Sequence, residues 1–134
     1  MINSPASTVL SGNPVTIKKV KGSLDCQNLF CKLVNVDVAS HSPQIDLLRS
    51  DLLRVLDGLK PHTSTIPIYS TVTGDRNDGL SFNTEYWINN LRKPVLFSHA
   101  IGQLLDSGYS TYIEIGPHPV LLGSIDRKST RLNS

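Results

Sequence analysis

The stretch Val34-Asn35-Val36-Asp37-Val38-Ala39-Ser40-His41-Ser42-Pro43-Gln44-Ile45 decides how the chain reads. Its valines alternate with Asn35 and Asp37, the period of a strand with one buried face, and the run stops at Ala39-Ser40-His41. Ser42-Pro43 then offers a capping hydroxyl followed by proline at the first helical position. Ile45, Leu48, Leu52, Leu56 and Leu59 recur at spacings of three and four, which predicts one helix closed by Gly58 and Pro61. On its wet side Asp46 is set to pair with Arg49, and Ser50 with Arg54.

Upstream, Thr8-Val9-Leu10 is β-leaning and ends at Ser11-Gly12-Asn13-Pro14, a turn leading into a helix start. From Val15 to Leu29 the apolar spacing is loosely helical; Gly22 interrupts it, and Lys18, Lys19 and Lys21 form a solvated face. Downstream, Ile66 to Thr73 is rich in β-branched residues and reads as a strand, followed by a polar loop from Asp75 to Gly79. Thr84 to Asn90 predicts a short helix carrying Tyr86 and Trp87. Pro94 predicts the start of another, with Phe97, Ile101, Leu104 and Leu105 on one face and Gly108 as its stop. Thr111 to Ile115 reads as a last strand running into the rigid turn Gly116-Pro117-His118-Pro119. Strands alternating with helices predict an α/β layered fold with mainly parallel pairing.

The 134 residues, 39% hydrophobic and 18% charged, allow one ordinary domain and exclude a charged disordered tail. Three of the 13 basic and one of the 11 acidic residues fall in the last nine, so the body is neutral and argues against nucleic acid and anionic membranes as partners. Cys26 and Cys31 cannot build a disulfide framework and lack partner ligands for zinc, so no metal site is expected. No apolar run suits a membrane span, and the first residues do not form a signal peptide, which predicts a cytoplasmic protein. Both ends read as cut, so the chain is expected to be a piece of a larger protein. Residues 126–134 read as a non-native tail and are set apart.

His41 is the residue to single out for chemistry, at the carboxyl end of the expected strand and just before a helix N-terminus. That location disfavours a positively charged imidazolium and suits a ring that accepts a proton from a nucleophile. Taken alone, a histidine in a strand-to-helix turn is more often a capping or packing residue. His62 and His99 read as surface residues, and His118 as a turn residue near a possible cleft. A histidine base needs a nucleophile, and the chain has no Gly-x-Ser-x-Gly elbow, no reactive-looking cysteine and no phosphate loop. By itself it should not complete a catalytic cycle.

Several blocks together resemble the carboxyl-terminal half of the acyltransferase domain of modular type I polyketide synthases, related to malonyl transacylases. They are Asn3 to Gly12, Val36-Asp37-Val38-Ala39-Ser40-His41-Ser42-Pro43-Gln44, Ile68 to Gly74, Tyr86-Trp87, Asn90-Leu91-Arg92-Lys93-Pro94-Val95 and Glu114 to Leu121. The resemblance implies an α/β-hydrolase-like large subdomain with an inserted ferredoxin-like small subdomain. Residues 1–40 would supply the later part of the insert and residues 41–125 the carboxyl-terminal part of the large subdomain.

The resemblance also implies a Ser-His dyad that moves a malonyl-type group from coenzyme A to the phosphopantetheine thiol of an acyl carrier protein. His41 matches the catalytic histidine and Asn90 the position whose backbone carbonyl orients it; the serine lies outside this chain. No permanently bound cofactor is implied. Acyl-CoA is the substrate, and the partners are the carrier protein and the remaining synthase domains, including the amino-terminal half. Val38, Ala39 and Ser40 match the tetrapeptide, ending at His41, that correlates with extender choice; Val38 fits neither the methylmalonyl nor the malonyl pattern, while Ser40 fits the former. Two alternatives remain: the same chemistry in an iterative fatty acid or polyunsaturated lipid synthase, or a non-catalytic ferredoxin-like binding module.

Overall fold

The computed structural model describes residues 1–36 and 38–126. Asp37 and all of the expected tail after Asp126 lie outside the described residues. The elements in chain order are strands β1 (Ile2–Ser4) and β2 (Ser7–Thr8), helix α1 (Pro14–Asp25), a 3-10 helix (Pro43–Leu48) running into α2 (Arg49–Val55), strands β3 (Ile68–Tyr69) and β4 (Arg76–Asn77), then helices α3 (Thr84–Arg92) and α4 (Phe97–Asp106). Residues 122–126 add a last helical turn.

Three helices start on the side-chain caps that satisfy their first backbone N–H groups. Asn13 accepts from Val15 at 2.9 Å ahead of α1, Ser42 from Gln44 at 3.2 Å ahead of the 3-10 helix, and Asn83 from Tyr86 at 3.0 Å ahead of α3. The expected Ser42-Pro43 start is therefore present. The lysines of α1 lie on its solvated side, where Lys21 pairs with Asp25 at 2.5 Å. Helix α4 ends at Gly108, whose φ of +86° is the left-handed stop expected of glycine. It begins at Phe97 rather than Pro94, and the Leu96 N–H just before it donates to the Thr71 carbonyl at 2.7 Å.

The single helix expected from Pro43 to Leu59 is instead divided, with a tight 3-10 winding up to Leu48 and α winding only over Arg49–Val55. Two of its charges, Asp46 and Arg49, reach across to α3. Arg92 Nε donates to Asp46 at 2.7 Å, and Arg49 donates to both Glu85 oxygens at 3.2 and 2.7 Å. Arg54 pairs with Asp51, not Ser50.

The expected strands change more. Residues 31–36 and 111–115 carry no ladder, and Val34, Val36, Ile113 and Ile115 are 68–96% exposed. A strand exists by exchanging N–H and C=O bonds with a neighbour. Among the described residues neither segment has one, so the alternation is there without the burial. The pairing that does form is antiparallel, which corrects the parallel expectation: Ile2 lies opposite Thr8, and Ile68 and Tyr69 opposite Asn77 and Arg76. Connections this short close only as hairpins. The expected strand from Ile66 to Thr73 is reduced to β3, and the expected loop after it contains β4.

The second hairpin turn is anchored by Ser70, which is 2% exposed; its hydroxyl accepts from Val72 N–H and lies 2.8 Å from the Tyr86 hydroxyl of α3. At the other end of the chain β1 lies beside α4, and Ile2 N–H donates to the Val95 carbonyl at 3.0 Å. The fully buried apolar side chains among the described residues are Ile45, Ile88, Ala100 and Ile101. They come from the 3-10 helix, α3 and α4. Burying an isoleucine stabilises by about 1.5–3 kcal/mol. This small centre fixes the segment just after His41 against α3.

Candidate functional site

His41 occupies the turn between the valine run and the 3-10 helix, with φ at +60°. Ser42 holds that turn shut. It is 1% exposed, its hydroxyl donates to the Ala39 carbonyl at 2.7 Å, and the same oxygen accepts from Gln44 N–H. His41 is held from the other side by the end of α3. Its backbone N–H donates to the Leu91 carbonyl at 2.7 Å, and its ring Nδ1 lies 2.8 Å from the Lys93 carbonyl.

That second contact fixes the tautomer. A carbonyl can only accept, so in the neutral ring Nδ1 carries the proton and Nε2 the lone pair. The ring is half-buried. Half-burial of this kind leaves the ring reachable while its mount is anchored.

The carbonyl facing the ring belongs to Lys93 rather than to Asn90. Asn90 lies within α3, where carbonyls point along the helix axis toward the next turn. Lys93 is the first residue beyond the helix, at φ −81° and ψ 158°, so its carbonyl can turn sideways. The signal in the sequence was the dipeptide Lys93-Pro94, which marks where a helix must stop.

Of the specificity candidates, Val38 is exposed, while Ala39 and Ser40 are half-buried beside His41 in the chain. The remaining histidines stand apart from this arrangement. His62 and His118 are exposed, and His99, 58% exposed, lies 3.8 Å from Asp75 and against Gly74. An open groove of about 660 Å³ runs along residues 63–67 and 76–78 and holds none of the candidate residues. Among the described residues no cluster of His, Cys, Asp and Glu is placed to hold a metal, and no helix is long and apolar enough to cross a membrane.

Two carboxylates are tuned around this frame. Hydrogen bonding from Arg49 holds the Glu85 carboxyl below its ordinary range, with the guanidinium charge adding to it. Glu114 is held low chiefly by the Val120 N–H, with Leu121 and Leu122 N–H also donating, at 3.0–3.2 Å.

The acyl transferase domain family model matches residues 1–131. The chain is 44% identical over 121 residues to polyketide synthase GfsA of Streptomyces halstedii, covering 90% of this chain and 2% of that protein. It is 34% identical over 125 residues to erythronolide synthase EryA2 of Saccharopolyspora erythraea, covering 93% of this chain and 4% of that one. Its structure matches the acyltransferase domain from module 8 of the salinomycin polyketide synthase with a TM-score of 0.95 and 35% identity, over 99% of this chain and 31% of the other. A second match, the acyltransferase domain of phenolphthiocerol/phthiocerol synthase A from Mycobacterium bovis, has a TM-score of 0.87 and 35% identity, over 98% of this chain and 52% of that one. The chain thus spans a small share of the curated relatives and a third to a half of these solved chains.

Proposed function

The chain belongs to the acyltransferase domains of modular type I polyketide synthases and has their α/β fold with a ferredoxin-like subdomain, and from that premise we propose that it carries the general base of a malonyl-type acyl transfer. In this reading residues 1–40 complete the small subdomain and residues 41–125 the large one, in a cytoplasmic synthase whose serine nucleophile is supplied by sequence outside this chain. The chain alone is inactive.

The chemistry runs in two balanced halves. His41 Nε2 takes the proton of the serine hydroxyl as the serine oxygen bonds to the thioester carbonyl of malonyl- or methylmalonyl-CoA. The carbon–sulfur bond then breaks, and the departing coenzyme A thiolate receives that proton. In the second half the phosphopantetheine thiol of the acyl carrier protein gives its proton to Nε2 and attacks the acyl-serine, and the serine oxygen leaves and recovers the proton. The protein holds no permanent cofactor. Through both halves Nδ1 stays on the Lys93 carbonyl, and this hydrogen bond is the observation that carries the reading, because it leaves Nε2 bare. Ser40, small and next to His41, leaves room for a methyl branch on the acyl group, a difference worth about 1–3 kcal/mol in a good pocket.

The test is to mix the chain with a separately produced amino-terminal half and follow acyl loading from malonyl- and methylmalonyl-CoA. His41→Ala should lower loading by roughly 10²–10⁴-fold, the usual share of a general base. Loading that persists unchanged in His41→Ala would mean that another group moves the proton.

A further inference from the structure

We infer that Pro94 is a positioning residue for His41: by ending α3 and holding Lys93 extended, it turns the last carbonyls of that helix onto the histidine. The inference deepens the proposed function and rests on His41 being the proton carrier.

A helix leaves its last four carbonyls without internal donors. In α3 the ladder runs as far as the Lys93 N–H, which donates to Asn89 at 2.8 Å. The next rung would be a donor at position 94 reaching Asn90, and proline has none. The ladder stops there. Proline also bars helical backbone from the residue before it, and Lys93 stands at ψ 158°, far from the helical value near −42°. That rotation swings the Lys93 carbonyl off the helix axis.

The consequence falls on His41. With helix continuing through position 94, the Leu91 carbonyl would accept from residue 95 and the Lys93 carbonyl would point down the axis. Instead the first takes the His41 backbone N–H and the second the ring, at 2.7 and 2.8 Å. The residues that follow are committed elsewhere: Val95 accepts from Ile2, and Leu96 donates to Thr71. The connector from Lys93 to Leu96 is thus pinned on both sides, and the orientation of Lys93 is passed to the imidazole without slack. The Lys93 side chain takes no part in this.

The experiment is ¹⁵N NMR of the chain labelled in its imidazoles, with exchange of the ring proton as a second reading. In the unmodified chain the His41 proton should sit on Nδ1. Pro94→Ala restores a donor and frees Lys93; the ring proton should then exchange roughly tenfold faster, the factor an ordinary hydrogen bond supplies, and the Nε2–H tautomer should become populated. Lys93→Ala, which keeps the proline and the carbonyl, should match the unmodified chain.

A Pro94→Ala spectrum identical to the unmodified one overturns the inference. Should Pro94→Ala lose its dispersed amide spectrum, Lys93→Gly decides, since it keeps proline but relaxes the backbone that aims the carbonyl; the same loosening supports the inference and an unchanged ring overturns it. The two readings fail separately. His41→Ala that still loads acyl groups removes the base but leaves the Pro94 effect on the ring, whereas a Pro94→Ala ring unmoved beside an inactive His41→Ala removes only the positioning role.

Discussion

A φ of +60° is a conformation that most side chains avoid at a cost of about 1–3 kcal/mol, and histidine belongs to the few types that tolerate it. What keeps His41 there is a pair of neighbours, Ser42 on one side and the α3 terminus on the other. Ser42 combines a capping bond to Gln44 with a bond to the Ala39 carbonyl, and it is buried. Ser42→Ala is predicted to destabilise the fold by about 1 kcal/mol, read as a lower midpoint of urea denaturation, as expected for loss of a helix cap. No shift in that midpoint would mean that the turn stands without its hydroxyl. Ser42 was legible in the sequence because capping chemistry acts over three residues. The partner of the histidine ring was not, because the choice between the carbonyls of Asn90 and Lys93 depends on how a helix end docks against a residue some fifty positions earlier. Only the Lys93-Pro94 dipeptide hinted at it.

Elements that carry their own boundary chemistry were read well. Helix α1 follows from Asn13-Pro14, since a cap and a proline suffice to place a start. The helix after Ser42 was read too long, because its apolar spacing says which face is inward but not that Asp46 and Arg49 are held by Arg92 and Glu85 from another helix. Strands were read least well, since alternation describes a face and a ladder needs a partner that one segment cannot supply. Glu114 illustrates an element fixed by a single charge: its carboxylate accepts the N–H groups that open the turn at residues 120–122. Its acidity is raised by those bonds, so its contribution is full above the ordinary carboxylate value of 4.5 and is lost as pH falls through the lowered folded value. The protection of the Leu121 and Leu122 amides, taken as exchange relative to the intrinsic rate at each pH, should therefore fall on acidification below that ordinary value, and Glu114→Ala should quicken their exchange several-fold at neutral pH. Equal exchange in both proteins would show that the turn is closed by something else.

Among the described residues the buried apolar centre is limited to the 3-10 helix, α3 and α4, while Phe30, Val36 and Ile115 stand 95, 70 and 96% exposed. Amide exchange is predicted to be slow only in those central elements and near the unprotected rate at residues 31–36 and 111–115. Protection across Ile113 and Ile115 would mean that a ladder has formed there after all. The bond between His41 and Lys93 joins residues 52 apart in the chain. At about 5–20 residues per second of synthesis, the carbonyl that selects the imidazole tautomer is made some seconds after the imidazole itself. Until then the nascent histidine has nothing to choose between its two neutral forms, so its readiness for proton transfer arrives in one late step, when the third helix has been released and closes on it.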